Sequence, residues 1–539
     1  MDDISPLERM PRARIRATTM SAPDGEAGQA PVFALLADPA THGGQPVDRF
    51  DTHGASVFLA GDRGYKLKRA VRFPFLDFST LEKRRTACRA EVALNRRTAP
   101  DLYLGVGAVM ADPGGALRLV EVAPEDGAGV VDYVVVMRRF DQHDLLDRMA
   151  DAGTLTEELA RTCAEVVAGF HEAAEPRPAG GGADEVKRLA DGVVMELRRY
   201  PELFAAAMVD RVARRLDRAL AAGHDLLDRR RDAGYVRHCH GDLHLRNIVM
   251  QDGRPVPFDC IEFDERLAVS DVLYDLAFLL MDLEHRKLRP QANALFNRYL
   301  ELTGDLSGLS LLPLFMAIRA GIRAHLSAAA CRTQQDAAKA SGLGKEATTY
   351  LDLAAALLSP PPARLVAIGG LSGTGKTTLA RHLAPTLGPA PGAVILRSDV
   401  LRKHLAGVGE EDHLPPTAYA PAVTERVYGE LAGRAGLALE GRHAVVCDAV
   451  YARPEERAAI ESAARTAGVA FTGLWLVADQ ATQIRRVTDR QHDASDADAA
   501  VVRRQAAYDL GEMRWEVIAA NGPAGEVAAV AARLVSTSS

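Results

Sequence analysis

No stretch of the 539-residue chain approaches the ~18 consecutive apolar residues of a membrane span. The opening residues, with Asp2 and Asp3, hold no apolar h-region, so no secretory signal is expected. The six cysteines (Cys88, Cys163, Cys239, Cys260, Cys331 and Cys447) contain no CxxC pair. Such scatter is the pattern of reduced, separately buried thiols. A cytoplasmic protein without a membrane partner is therefore the expectation. A basic excess is missing too: 65 Lys and Arg against 72 Asp and Glu give a net charge of −7, so no nucleic-acid partner is expected. Lysine itself is scarce, at 9 residues beside 56 Arg. A chain that uses Arg almost everywhere should keep Lys where a compact ammonium is needed.

What is present is ordinary globular material, 47% apolar and 25% charged, which argues against wholesale disorder. Composition and patterning divide it into a disordered tail over 1–30, a domain over 31–345, a linker over 346–362 and a second domain over 363–539. The first domain opens with β-like runs, SVFLAGD from Ser56 and YKLKR from Tyr65, followed by a helical stretch near Leu81 to Arg97 and the strand YVVVMRRF from Tyr133. It then turns mainly helical, broken by a hairpin whose turn is Asp252-Gly253. The linker holds a last short helix and ends in SPPPA from Ser359. Beyond it, strand-like and helix-like segments alternate in the rhythm of a parallel α/β sheet.

In that second domain Gly370, Leu371, Ser372, Gly373, Thr374, Gly375, Lys376 and Thr377 spell G-x-x-x-x-G-K-T, with Thr378 next. Glycines let backbone N–H groups curl round a phosphate, the Lys neutralises β/γ oxygens, and the Thr377 hydroxyl suits Mg²⁺. An apolar strand precedes the loop and a helix follows. Asp399 ends the strand AVILRSD, where it either takes a proton from a substrate hydroxyl or caps the next helix. Asp448 ends AVVCD and is either a Mg²⁺ carboxylate or a cap. Arg486 and Arg490 share a helical face, as a lid over the transferring phosphate or as a solvated surface. Over residues 363–539 the chain resembles the small-molecule kinase branch of P-loop proteins. That resemblance implies phosphoryl transfer from ATP to an acceptor hydroxyl, with Arg402 placed to grip an anionic acceptor.

In the first domain His240 to Asn247 read HGDLHLRN. Protein kinases carry H-R-D-L-x-x-x-N, where the Asp is the catalytic base and the Asn binds Mg²⁺. Asp242 and Asn247 keep that spacing, Gly241 replaces the Arg, and Asp259 follows where a second metal ligand is expected. A plain polar loop of His238, His240, Asp242 and His244, or a zinc cluster of these residues with Cys239, is the competing reading, although neighbouring positions converge poorly on one tetrahedral ion. With DVLYDLAF from Asp271, these residues resemble the aminoglycoside phosphotransferase and choline kinase family over residues 32–340. The resemblance implies a bilobal protein-kinase-like fold, with Asp271 supporting the loop and Asp275 capping the buried helix. It also implies a small-lobe Lys on ATP and a helical Glu paired with it. Lys66 and Lys68 share one strand face, with Lys66 slightly favoured, and Glu91 is the partner unless it is a solvated helix residue. No G-x-G-x-x-G precedes the lysines.

The full order resembles the bifunctional aminoglycoside phosphotransferase/ATP-binding protein family. The expected fold class is an α+β bilobal protein-kinase-like N-terminal domain plus an α/β P-loop NTPase C-terminal domain. The expected activity is ATP- and Mg²⁺-dependent phosphorylation of small-molecule hydroxyl acceptors at two sites. A metabolite-sensing pseudokinase gating a C-terminal kinase or ATPase is the alternative. A protein kinase is less favoured, because Gly241 removes the Arg that reads activation-loop phosphate.

Overall fold

The computed structural model describes residues 26–52, 54–73, 76–489 and 494–537. The chain forms two compact units, one containing the described residues through Arg286 with Leu314–Leu358, the other containing Lys287–Pro313 with 359–537.

The first unit begins with a six-stranded antiparallel sheet. Its strands are β1 (Val47–Asp51), β2 (Ala55–Ala60), β3 (Arg63–Lys68), β4 (Tyr103–Ala111), β5 (Leu117–Val120) and β6 (Val130–Arg138), in the order β1-β2-β3-β6-β4-β5. Alternation along β3 sends Tyr65 and Leu67 into a core with Phe58, Val134 and Val136, and leaves Lys66 and Lys68 on the opposite face. The helix Leu81–Asn95, N-capped by Thr80, packs Cys88 and Val92 against Tyr133 and Val135. That packing delivers Glu91 to the lysine face.

The helical part of this unit carries the hairpin Ile248–Gln251 and Arg254–Pro257. Asp252 and Gly253 both have positive φ, at 50° and 78°, as a two-residue turn of this hand requires. Helix Val272–His285 is buried along most of its length. One helical segment among the described residues is notably apolar. Segment Leu309–Thr333 reaches a mean hydropathy of 1.3 over an 18-residue window, long and apolar enough to span, yet 72% of that window is buried inside the protein.

The second unit holds five parallel strands: β7 (Arg364–Gly370), β8 (Val394–Arg397), β9 (Val445–Asp448), β10 (Ala470–Val477) and β11 (Glu516–Ala519). Their order is β8-β9-β7-β10-β11. The chain leaves β7 toward one edge and later returns to the other side, so the crevice opens at the C-terminal end of β7.

Three boundaries differ from the sequence expectation. Residues 26–30 belong to the fold, because buried Gln29 donates to Asp132 Oδ2 (2.7 Å) and the Lys68 carbonyl (2.9 Å) and accepts from Ala70 N. Residues 1–25 lie outside the described residues. The linker shrinks to about 359–363, since helix Ala337–Leu357 buries Ala347, Tyr350, Leu351 and Ala354. Lastly, helix Arg289–Thr303 belongs to the second unit. Asn293 and Asn297 donate to the Ala393 carbonyl, each at 3.1 Å, and Asn297 Oδ1 accepts from Ile395 N at 2.7 Å. These amides cover the edge strand β8, whose backbone groups would otherwise stay unpaired.

Candidate active sites

In the first unit the small-lobe lysines meet three carboxylates from two distant parts of the chain. Lys66 Nζ lies 2.7 Å from Glu91 Oε1 and 2.7 Å from Asp259 Oδ1. Lys68 Nζ pairs with Glu91 Oε2 at 2.5 Å and with Glu262. Lys66 and Asp259 keep some exposure, 15% and 36% of their side chains, whereas Lys68 and Glu262 are almost sealed at 3% and 6%. The two lysines thus divide the work: Lys66 faces the cleft and Lys68 neutralises the wall behind it. Burial opposes the charge on both ammonium groups, but the surrounding carboxylates outweigh it and hold both above their ordinary range. Glu91 is a buried ion-pair partner, which removes the solvated-helix reading.

Opposite these groups stands the loop His240–Asn247. Asn247 Nδ2 donates to Asp242 Oδ2 at 2.9 Å, and Asp242, Asn247, Asp259 and Lys66 line one cleft of about 1260 Å³. Burial opposes the Asp242 charge, yet His244, with Nε2 at 3.4 Å, and His240 hold its carboxyl below the usual range. Asp275 ties down the loop backbone, accepting from His240 N at 3.1 Å and Gly241 N at 2.9 Å. Asp271 caps helix Val272–His285 and forms a buried bidentate pair with Arg230 at 2.7 and 2.9 Å. These roles are the reverse of those implied by the resemblance, because only Asp275 lies one helical turn in, beneath the loop. Gly241 is explained as well. Its φ is 85°, and a Cβ there would sit 3.2 Å from Ala268 Cα and the Leu267 carbonyl.

The histidines do not form the zinc cluster weighed above. His240 Nε2 contacts the Phe258 carbonyl at 2.9 Å, and the His244 ring lies tilted against Phe278. The described group with metal-like spacing is instead His171, Cys239 and Asp275, and its Asp275 is already committed to the loop amides.

In the second unit Gly370–Thr377 curl at the end of β7. Gly373 has φ 79°, and a Cβ on it would meet the Gln483 carbonyl at 2.5 Å. Lys376 and Thr377 open helix Lys376–Leu383, and Thr377 Oγ1 donates to Asp448 Oδ2 at 2.6 Å. Asp399 lies in the first turn of Ser398–Ala406, whose N-cap is Arg397 with no side-chain capping bond, so the capping reading fails. Asp399 lines a cleft of about 1290 Å³ with Lys376, Thr377, Thr378, Asp448 and Arg402. Arg486 reaches back to the loop, with NH1 3.3 Å from the Thr374 carbonyl. Arg490 lies outside the described residues. Arg402 is held by the Ala418 carbonyl at 2.7 Å and sits over the Tyr419 ring.

Residues 81–312 match the Phosphotransferase enzyme family, and residues 365–509 match an AAA domain. Uncharacterized proteins of Mycobacterium tuberculosis and Mycobacterium bovis are each 32% identical to the chain over 477 residues, spanning 86% of it and 91% of their own length. The chain belongs to the bifunctional aminoglycoside phosphotransferase/ATP-binding protein family. Among solved structures, a choline/ethanolamine kinase family protein from Mesorhizobium loti is similar at 17% identity, covering 62% of this chain and 99% of that one with a TM-score of 0.36. A gluconokinase from Sinorhizobium meliloti is similar at 20% identity, covering 33% and 94% with a TM-score of 0.24.

As a member of this bifunctional family the chain is a kinase-type phosphotransferase. Several of its cleft residues escaped sequence reasoning. Glu262 pairs with Lys68, and the Tyr103 hydroxyl accepts from Asp259 N at 3.2 Å. Arg397 lies 3.6 Å from Asp448 Oδ2, and Gln505 accepts from Ser372 N at 2.7 Å. No motif carries these residues. For Glu262 alone, the acidic run from Asp259 to Asp264 was an available signal.

Proposed function

We propose that each unit binds one Mg-ATP and transfers its γ-phosphoryl group to a hydroxyl of a small-molecule acceptor. The observation that carries this reading is the convergence of Lys66, Glu91 and Asp259 with Asp242 and Asn247 in one cleft. The second unit supports it with a loop that has no room for side chains at Gly373 and a hydroxyl–carboxylate pair, Thr377 and Asp448.

The donors fit the group. Asn247 and Asp259 in one cleft, and Thr377 and Asp448 in the other, are hard oxygen ligands of the kind Mg²⁺ takes. When bound, Mg²⁺ supplies charge neutralisation on the phosphate oxygens. Lys66 holds α/β-phosphate oxygens, with Glu91 fixing its ammonium; Lys376 does the same for the β/γ oxygens. The acceptor oxygen forms its bond to the γ-phosphorus as the bond from that phosphorus to the β–γ bridging oxygen breaks, and ADP leaves. The hydroxyl proton passes to Asp242 in the first unit and to Asp399 in the second. Arg486, already against the phosphate loop, together with Arg490, stabilises the transferring group. The reduced cysteines support a cytoplasmic setting for this chemistry.

The test uses a metabolite extract with γ-labelled ATP. Asp242→Asn and Lys376→Ala should each remove label from a separate set of products. If both variants leave every ATP-dependent phosphorylation untouched, the proposal fails.

A further inference from the structure

The wall of the first cleft beside Asp242 carries a guanidinium whose hydrogen-bonding capacity its own structure leaves largely unused. Arg319, from helix Leu312–Thr333, is 6% exposed and lines the same cleft as Asp242. Its guanidinium lies over the rings of Tyr274 at 4.0 Å and Phe278 at 4.7 Å. Its Nε is 3.5 Å from the Tyr274 carbonyl, the long limit of a hydrogen bond, and its NH2 has no hydrogen-bond partner. Asp275 Oδ1 lies 3.9 Å from that NH2 and already accepts from Gly241 N. A buried guanidinium left in this state is costly.

Other carboxylates on this wall are committed. Glu185 is held by Arg188 at 2.9 Å, Glu196 by Arg199 at 3.1 Å, Glu262 by Lys68, and Asp271 by Arg230 at 2.7 Å. Asp259 is taken by Lys66, and Asp242 by Asn247 and His244. The charge left for a ligand is therefore positive, and it is a planar fork suited to two-point contact with a carboxylate or phosphate.

We infer that Arg319 anchors an anionic group of the first unit's acceptor, which is therefore a hydroxylated carboxylate or phosphate ester and not a neutral or cationic alcohol. This rests on the reading of Asp242 as the group that takes the acceptor's proton. The ring faces of Tyr274 and Phe278 hold the guanidinium's plane where the side chain lines the cleft.

The experiment uses full-length protein carrying Lys376→Ala, so that only the first site turns over. A metabolite extract is separated by ion exchange into anionic, neutral and cationic fractions, and each is offered with γ-labelled ATP. Label lost on Asp242→Asn should arise in the anionic fraction. Phosphatase treatment of that fraction before ATP is added separates phosphate esters, whose labelling it removes, from carboxylates, whose labelling survives. Arg319→Gln should raise the half-saturating amount of that fraction by about 30-fold or more, as loss of one partner of a buried charge pair does, while KM for ATP stays unchanged. Arg319→Lys keeps the charge and the fold and should lose less than the Gln variant. Asp242-dependent label confined to the neutral or cationic fraction overturns the inference, as does an unchanged acceptor requirement in Arg319→Gln. Absence of Asp242-dependent label in every fraction overturns the phosphotransfer reading of the unit itself.

Discussion

Exchanging each of the two neighbouring lysines for Met should separate nucleotide binding from stability. Lys68 is 3% exposed between Glu91, which is sealed, and Glu262, which is 6% exposed. Lys68→Met leaves Glu262 buried without a cation, and breaking a buried pair in this way costs about 3–5 kcal/mol. At about 2 °C per kcal/mol for a unit this large, the first unit should melt roughly 6–10 °C lower. Lys66→Met is different. Glu91 keeps Lys68 at 2.5 Å, and the Asp259 side chain, 36% exposed, is partly solvated. The stability cost should be about 1 kcal/mol or less. Loss of the ammonium on ATP, however, should weaken nucleotide binding by about 2–3 kcal/mol, or roughly 30–150-fold. Calorimetric melting gives the first quantity and titration with a non-hydrolysable ATP analogue, in a Lys376→Ala background, gives the second. The reasoning is refuted if Lys66→Met melts as low as Lys68→Met, or if Lys68→Met keeps its Tm and loses the nucleotide.

The second unit offers two further tests with a convenient reporter, since the two tryptophans of the chain, Trp475 and Trp515, both lie buried within it. Asn297→Leu removes the acceptor for Ile395 N and one donor to the Ala393 carbonyl, so tryptophan fluorescence should show a loss of about 1–3 kcal/mol in unfolding free energy. An unchanged transition would mean that the helix Arg289–Thr303 does not protect the sheet edge. Burial brings the His443 imidazole down to about 4, so it stays neutral in the fold while the unfolded chain gains a proton below its ordinary pKa of 6.5. Stability should therefore fall as pH drops from 6.5 toward 4, by about 3 kcal/mol in total, and His443→Phe should flatten that slope; an equally steep slope in the variant removes His443 as its cause.

Local spacing made much of both clefts legible. The phosphate loop and the His240–Asn247 loop are continuous segments, and their backbone geometry requires glycine at Gly373 and Gly241. Alternation along one strand placed Lys66 and Lys68 together and gave no more than a slight preference for Lys66. The ranking comes from Asp259 and Glu262, nearly two hundred residues away. Asp271 and Asp275 were exchanged for a similar reason. Four residues apart, both lie near the start of one helix, and only the packing of the loop above it decides which carboxylate meets the amides. A continuous first domain over 31–345 failed because helix Arg289–Thr303 is ordinary by its own pattern; its asparagines acquire meaning only against strand β8. Arg319 was invisible in a sequence with 56 arginines, since what distinguishes it is an unused bond.

The two Mg-ATP sites proposed for one chain are counted by binding stoichiometry. Titration of the full-length protein with a non-hydrolysable ATP analogue and Mg²⁺ should give two sites per chain. Lys376→Ala alone and Lys66→Met alone should each reduce that number to one at analogue concentrations that saturate the wild type, and the double variant to none. A single site in the wild type, or a second site that neither substitution removes, would mean that the two clefts are not both Mg-ATP sites.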